Sequence, residues 1–338
     1  MIQSNENLSI REQEDKMFIH EPYPGYENQY LSFASGKFFS EEELEAGRKA
    51  QFEAMTSYEI PEGMKIEDKI IPGPDEGQEL KIRIYKPAGL PEKAPVVMDI
   101  HGGGWVGGSL DIDNARCIAI AVRVPCVVVG VDYRLSGTPE VGFPMPLMDC
   151  VTAYRWIWEH QEELGGNGKI GTHGSSAGAN LVGGLSLYLR DHGEEQPALA
   201  VMNCPPTSLG FTADPAYTQN FELRMGGGPK HKAAEVQYLN GFDGTPVPSY
   251  YAFPYYCPDL EGLNPHFILA AEYDTLRDDG LKYARRLLDT GITTDVFVGA
   301  KCCHCWTAAP GVITDMTHDV IALAYKREFG MLDHLKKA

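Results

Sequence analysis

Positive charge is scarce in this chain. Its 338 residues include 29 Lys and Arg against 47 Asp and Glu, which gives a formal net charge of −18. Such a balance argues against nucleic acid and anionic membrane surfaces as partners. Long apolar runs are missing as well, because no uninterrupted stretch approaches the roughly 20 residues of a membrane-spanning helix. We therefore expect a protein that binds neither nucleic acid nor membrane.

Targeting signals and disulfide patterns are also missing. The first residues, Met1 to Asn7, do not form the basic-then-apolar pattern of a secretory signal. Eight cysteines in a chain of this length, without such a signal, are typical of reduced thiols in the cytoplasm. There is no internal repeat or low-complexity tract, and 43% hydrophobic residues can form a large core. The composition predicts one cytoplasmic enzyme-sized unit with insertions.

A serine between two glycines is the first chemical feature that is present. The run 174–178 reads Gly-Ser-Ser-Ala-Gly. It follows a short predicted strand at 169–173 and precedes an apolar stretch typical of a buried helix. A nucleophile elbow needs glycine two residues before and after its serine, because the sharp turn leaves no room for a Cβ. Gly174 and Gly178 meet that need around Ser176, whereas Ser175 has no symmetric glycines.

A second glycine run lies upstream. The residues 101–105, His-Gly-Gly-Gly-Trp, come directly after a predicted buried strand at 94–100. Consecutive glycines let the backbone approach a ligand and turn its N–H groups toward an anion. In acyl transfer such donors stabilise the oxyanion of the tetrahedral intermediate. A flexible loop or a phosphate-binding loop is the weaker interpretation, because the chain contains no G-x-x-x-x-G-K-[ST] motif.

An acid and a histidine follow in the order that a serine hydrolase requires. Asp274 comes just after a predicted buried strand at 265–271, where catalytic residues of open α/β sheets collect. Glu272, Asp278 and Asp279 are weaker candidates for the acid. His304 lies in the loop after the next predicted strand, at 294–298, and is the candidate general base. Strands alternate with helices along the chain, which predicts a mostly parallel sheet with helices on both faces.

These residues resemble the hormone-sensitive-lipase-like family of α/β-hydrolases, which includes bacterial acetyl esterases and plant carboxylesterases. The similarity covers roughly Pro87 to Phe329. It is carried by five segments in order: 101–105, Val-Asp-Tyr-Arg-Leu at 131–135, Phe-Pro-Met-Pro-Leu-Met-Asp at 143–149, 174–178, and Ala-Glu-Tyr-Asp-Thr-Leu-Arg-Asp at 271–278. The resemblance implies the α/β-hydrolase fold and a serine carboxylesterase acting on short acyl esters, acetyl esters foremost, without metal or organic cofactor.

The same resemblance implies roles for individual residues and segments. Ser176 would be the nucleophile, Asp274 the orienting acid and His304 the base. The oxyanion hole would consist of the N–H groups of three residues, Gly103, Gly104 and Ala177. Residues 1–66, which precede the first predicted strands, would form an N-terminal cap segment, and 67–338 the catalytic domain, with a cap insertion at 205–262. Homodimers are common in the family.

The chain departs from the family pattern at three places. Ser175 stands where the family usually has Asp, and the loop 133–140 is longer than the usual Tyr-Arg-Leu-Ala-Pro-Glu. The segment 302–306 reads Cys-Cys-His-Cys-Trp, where His-Gly-Phe is usual. A zinc site in this segment is disfavoured because adjacent cysteines diverge and structural zinc ligands are usually spaced by two to four residues. A redox-sensitive thiol pair stays open.

Other interpretations of the function also stay open. The same triad could cleave amides, as an amidase or peptidase does, and the resembling family contains non-catalytic receptors that lost the histidine. The presence of His304 argues against a receptor. Trp105, beside the glycine run, is expected to line the acyl or alcohol pocket. The aromatic run 249–256 could stack against sugars, but packing of cap against core is the favoured interpretation.

Overall fold

The computed structural model describes residues 59–136, 140–209, 216, 238–239, 249–308 and 311–332. Within these residues eight strands form one sheet. The strands are β1 Lys65–Pro72, β2 Glu79–Lys86, β3 Ala94–Ile100, β4 Val127–Asp132, β5 Gly166–Ser175, β6 Ala200–Asn203, β7 His266–Ala271 and β8 Thr294–Gly299. The described helices are α1 Asn114–Arg123, α2 Met145–Glu159, α3 Gln161–Leu164, α4 Ala177–Asp191, α5 Arg277–Asp289 and α6 Val312–Glu328. Two short 3₁₀ turns lie at Pro254–Tyr256 and Trp306–Ala308.

The sheet is mostly parallel, as the sequence predicts. Its strand order is β1-β2-β4-β3-β5-β6-β7-β8. β1 and β2 pair antiparallel with their neighbours, whereas β3 to β8 run parallel to one another. Parallel strands end at the same edge of a sheet, so the loops that follow them gather there.

Helices cover both faces of the sheet, because successive side chains of a strand point to opposite sides. In β3, Val96 and Met98 belong to one apolar layer, which also contains residues of α2, α4 and α5. The intervening Val97 belongs to a second layer, which contains residues of α1 and α6. Because both faces of the central strands are buried, β3, β4 and β7 are nearly continuous apolar runs rather than alternating ones. The predicted α/β-hydrolase architecture of sheet and helices is confirmed.

Some predicted boundaries differ from the structure. β1 begins at Lys65, so it starts two residues inside the predicted N-terminal segment 1–66. Residues 1–58 of the predicted N-terminal cap segment lie outside the described residues, as does most of the predicted insertion 205–262. Across the described part of the chain, no helix combines the length and the apolar character that crossing a membrane requires.

Candidate active site

Ser176 lies on a tight turn between β5 and α4. Its backbone has φ 54° and ψ −121°, a conformation that L-residues rarely adopt. The turn brings backbone segments very close together. A Cβ on Gly174 would lie 2.4 Å from the carbonyl group of Gly178, and one on Gly178 would lie 2.0 Å from the carbonyl oxygen of Ile100. Both glycines are therefore required sterically, and the turn holds the Ser176 hydroxyl at the carboxyl edge of the sheet.

Three side chains from separate loops meet at this edge. His304 Nε2 lies 2.8 Å from Ser176 Oγ, and His304 Nδ1 lies 2.7 Å from Asp274 Oδ2. Asp274 is wholly buried, and its Oδ1 accepts a hydrogen bond of 2.9 Å from the backbone N–H of Leu276. The sequence-predicted serine, histidine and acid thus form one hydrogen-bonded chain. Such a chain lets the imidazole accept a proton from the hydroxyl while the carboxylate orients the ring.

The other acidic candidates have different partners. Glu272 accepts a hydrogen bond from the backbone N–H of Lys301, and Asp278 pairs with Arg277 in the first turn of α5. Asp279 is buried and accepts hydrogen bonds from the backbone N–H and the hydroxyl of Thr207. The described contacts of these three carboxylates therefore hold loops and helix ends in place and do not include the imidazole of His304.

The glycine run after β3 lies against the elbow. A Cβ on Gly102 would lie 3.5 Å from the Cβ of Ser176, so the two segments are in contact. Gly103 and Gly104 have positive φ values of 126° and 61°. Among the described residues, no acceptor pairs with the backbone N–H of Gly103, Gly104 or Ala177. Ala177 is the first residue of α4, where helix N–H groups and the helix dipole favour an anion. These three N–H groups are therefore available to an oxyanion.

The electrostatics of the site centre on the imidazole of His304. Burial disfavours its protonation, but the charge of Asp274 and the neighbouring Cys305 outweigh burial and raise the pKa of His304 well above its usual value. A hydrogen bond with Cys204, together with the charge of His304, lowers the pKa of the Cys305 thiol to about 5, although burial acts to raise it. The imidazole therefore lies between a carboxylate and a readily ionised thiol.

Comparison with known proteins decides the family. Residues 97–308 match the family described as alpha/beta hydrolase fold. The chain belongs to the hormone-sensitive-lipase-like family of α/β-hydrolases. The matched residues span the region from β3 to the loop that carries His304, and so include every side chain of the site.

Several named relatives of the chain are esterases. Carboxylesterase NlhH of Mycobacterium tuberculosis is 33% identical over 266 residues, which cover 77% of this chain and 81% of that protein. The versiconal hemiacetal acetate esterase of Dothistroma septosporum is 30% identical over 235 residues, 64% of this chain and 67% of that protein. A solved ester hydrolase from the Lake Arreo metagenome, in complex with a bipyridine phosphonate derivative, has a TM-score of 0.75 at 27% identity. That likeness covers 91% of this chain and 99% of the solved one. The chain is a carboxylic ester hydrolase.

Trp105 follows the glycine run, but its side chain is turned into the protein. The ring is wholly buried, its Nε1 donates to Asn180 Oδ1 at 3.2 Å, and it stacks on Tyr238 with centroids 4.7 Å apart. Phe253 packs edge-on against the same ring. In this structure the indole ring therefore packs inside the protein, behind the glycine run 101–105. Its predicted contact with substrate stays a prediction.

Sequence reasoning missed a buried ionic network beneath the nucleophile. Arg116 is wholly buried and donates to Asp99, to Asp113 and, at 2.8 Å, to Ser175 Oγ. Ser175 Oγ also accepts a hydrogen bond of 3.1 Å from Asn203 Nδ2. The only sequence signal was the replacement of the family's usual Asp by serine at 175. Nothing in the local sequence pattern shows that Arg116 faces it.

The aromatic run 249–256 combines packing and exposure. Phe253 is buried against Trp105, whereas Tyr256 is 38% exposed. The hydroxyls of Tyr250 and Tyr251 both donate to Asp191 at the end of α4. The run thus anchors this part of the predicted insertion to the catalytic core.

Proposed function

We propose that the chain hydrolyses short-chain acyl esters, acetyl esters foremost, through an acyl-enzyme on Ser176. The observation that carries the proposal is the continuous hydrogen-bonded chain from Ser176 through His304 to the buried Asp274. The acetyl preference is supported by the resemblance to acetyl esterases and by the relative that is named an acetate esterase.

The geometry suits a two-step acyl transfer. His304, in the neutral form that exists above its raised pKa, takes the proton from Ser176 Oγ as that oxygen attacks the ester carbonyl carbon. The resulting oxyanion accepts hydrogen bonds from the N–H groups of Gly103, Gly104 and Ala177, and loss of one such donor typically slows the reaction ~100- to 1,000-fold. His304 then protonates the departing alkoxide, and a water molecule, deprotonated by the same ring, releases the acid from Ser176. Asp274 orients the ring and stabilises the imidazolium without taking its proton.

We further propose that the N-terminal segment 1–66 and the insertion 205–262 cover this site. The support comes from the few described residues of the insertion. Tyr238 stacks on Trp105 and accepts a hydrogen bond from the backbone N–H of Phe143, and the N–H of Ala216 donates to Asp278. A cytoplasmic location and a homodimer also stay predictions. The former agrees with all eight cysteines being free thiols.

Hydrolysis of p-nitrophenyl esters from acetate to decanoate tests the activity and its chain-length preference. We expect the highest kcat/KM for the short esters. Ser176→Ala should lower kcat by at least ~1,000-fold, since the nucleophile of a triad is worth about that much or more. Ser186→Ala, which removes a buried hydroxyl from the helix that follows Ser176, is the matched control. If Ser176→Ala retains the wild-type rate, the nucleophile is assigned wrongly, and a maximum at decanoate contradicts the short-chain preference.

A phosphonate ester tests the covalent step directly. A p-nitrophenyl alkylphosphonate should form a bond from Ser176 Oγ to phosphorus and release one equivalent of p-nitrophenolate. Mass spectrometry of the peptide that contains residue 176 should show the added phosphonyl group, and the Ser176→Ala protein should show none. The corresponding p-nitroanilides, assayed in parallel, test the amidase alternative. If p-nitroacetanilide is hydrolysed as fast as p-nitrophenyl acetate, the enzyme is not specialised for esters.

A further inference from the structure

Two thiols lie beside the imidazole of His304. Cys204 directly follows β6, and Cys305 directly follows His304 in the loop after β8. The Sγ of Cys204 accepts a hydrogen bond of 3.5 Å from the backbone N–H of Cys305. The two Sγ atoms and one ring nitrogen of His304 all lie within 4.8 Å of one another. We call these three side chains the thiol–imidazole cluster.

Fold topology, not sequence spacing, forms this cluster. β6 and β8 lie on either side of β7 in the sheet, so the loops after both strands meet above the end of β7. The adjacent cysteines of the segment 302–305 argued against a metal site, because neighbouring side chains diverge. The fold adds Cys204, from 101 residues earlier in the chain, and although His304 and Cys305 remain neighbours, their ligand atoms converge with that of Cys204 within 4.8 Å.

The backbone holds the two thiols in place before any ligand binds. Cys204 and Cys305 have φ values of 50° and 56°, a region that residues other than glycine seldom adopt. The N–H of Cys204 donates to the carbonyl oxygen of Leu269 in β7 at 2.8 Å. Strained backbone of this kind persists only where the surrounding structure fixes it, and it is concentrated at functional sites. Ordering the cluster around a ligand therefore requires little further loss of conformational freedom.

We propose that the thiol–imidazole cluster is an inhibitory binding site for a borderline-soft divalent cation, Zn²⁺ foremost. Two thiolates and one imidazole are ligands that Zn²⁺ prefers, at ~2.3 Å from sulfur and ~2.0–2.1 Å from nitrogen, and three protein ligands leave a fourth tetrahedral position for water. Tetrahedral geometry at those bond lengths puts the ligand atoms roughly 3.5–3.8 Å apart, so no pair of ligand atoms would have to approach by more than ~1.3 Å. Both thiols lose their protons to solvent on binding.

Occupation of this site is incompatible with catalysis as proposed above, and the inhibition rests on that proposed function. Each ring nitrogen of His304 already has a partner, Ser176 on Nε2 and Asp274 on Nδ1. A cation on Nε2 takes the lone pair that must accept the Ser176 proton. A cation on Nδ1 displaces the carboxylate that orients the ring. Coordination at either nitrogen therefore stops hydrolysis until the cation leaves.

The test uses the full chain in a non-thiol reductant, which keeps the cysteines reduced. Zn²⁺ is titrated against a chromogenic chelator, and Co²⁺ serves as the spectroscopic probe, because thiolate ligands give it a charge-transfer absorption. We expect one equivalent of Zn²⁺ to bind, p-nitrophenyl acetate hydrolysis to fall in proportion, and excess chelator to restore it fully. Cys204→Ser and Cys305→Ser should each weaken Zn²⁺ binding at least tenfold and lower the cobalt–thiolate absorption.

Two further variants make the outcome decisive. Cys303→Ser is the matched control, because it removes a thiol next to His304 that lies outside the cluster; it should bind and be inhibited like the wild type. Ser176→Ala separates this proposal from the proposed function, because it should still bind Zn²⁺ although it cannot hydrolyse esters. The proposal is overturned if the wild type binds neither cation, if both cluster variants bind as tightly as the wild type, or if the cobalt absorption does not depend on Cys204 and Cys305.

Discussion

Ser175 shows how one residue adapts to the buried charges around it. Arg116 already faces two carboxylates, those of Asp99 and Asp113, and also donates to the Ser175 hydroxyl. An aspartate at 175, as the family usually has, would place a third acid around one guanidinium in the interior. A serine hydroxyl accepts the same hydrogen bond without adding a charge that is costly to bury. Serine at position 175 thus suits the charges that already surround Arg116.

Ser175→Ala should therefore destabilise the protein. The change leaves one N–H of Arg116 and one of Asn203 without the acceptor that Ser175 provides, and an unsatisfied buried donor costs about 1–3 kcal/mol. Chemical denaturation followed by circular dichroism measures the loss. Ser186→Ala is the control, because the buried Ser186 hydroxyl has no hydrogen-bond partner among the described residues. Equal stability losses for the two variants would contradict the role given to Ser175.

At the scale of elements, the loop after β3 owes its shape to particular glycines. A Cβ on Gly103 would lie 2.2 Å from the carbonyl oxygen of Gly107, and Gly103 also has a φ of 126°. A Cβ on Gly107 would approach the loop no closer than 3.5 Å, at the carbonyl oxygen of Gly103. The two positions therefore differ in what they tolerate, although both belong to the same glycine-rich loop.

Gly103→Ala should remove most of the activity, and Gly107→Ala should not. The first change forces the loop to open and moves the proposed oxyanion donors, so kcat should fall by about 100-fold or more. The second should leave kcat within a few-fold of the wild type. Steady-state kinetics on p-nitrophenyl acetate distinguish them, with melting temperatures showing that each variant folds. An active Gly103→Ala enzyme would refute the assignment of this loop as the oxyanion hole.

Most of the strands and helices could be predicted from the sequence, but the residues at which they begin and end could not. The buried strands β3 and β7 are recognisable as apolar runs, and the elbow glycines mark the end of β5 and the start of α4. β1 was missed because most of its residues are exposed at the edge of the sheet and their burial does not alternate, which leaves a weak apolar pattern. Helix α5 begins at Arg277, before its apolar stripe, because the ends of helices are set by loop contacts as well as by periodicity.

For the whole molecule, the buried network of Arg116, Asp99 and Asp113 links stability to pH. Burial, and to a lesser extent Asp99, raises the pKa of Asp113 from 3.8 to about 7, although Arg116 opposes the change. Burial also acts on Asp99, but Arg116 and His173 hold its pKa below the usual range. Asp113 therefore titrates near neutrality in the folded protein, whereas Asp99 stays ionised there.

The stability of the Asp113→Asn variant relative to the wild type should increase as the pH rises. Because the folded pKa lies above the unfolded one, the stability that protonated Asp113 contributes is complete below about pH 4 and is lost as the pH rises through about 7. Between pH 5 and 8 the wild type should lose up to roughly 3 kcal/mol relative to Asp113→Asn. Melting temperatures of both proteins, measured across that range, give the difference.

The control for this measurement is Asp315→Asn. Asp315 forms an exposed ion pair with Arg123 on the surface, where such pairs contribute about 0–1 kcal/mol. The difference in melting temperature between this variant and the wild type should stay flat from pH 5 to 8. A flat difference for Asp113→Asn as well would show that the buried carboxylate does not take up a proton in the folded state.

The types of the candidate catalytic residues and their order along the chain followed from the amino-acid sequence, because the elbow glycines and the strand ends are local patterns. The partners beneath and beside the site did not. Arg116 meets Ser175 across 59 residues, and Cys204 meets Cys305 across 101. Both contacts depend on the order of strands in the sheet, which places β5 between β3 and β6, and β7 between β6 and β8. Strand order results from packing of the whole core, so no local spacing encodes which loops become neighbours.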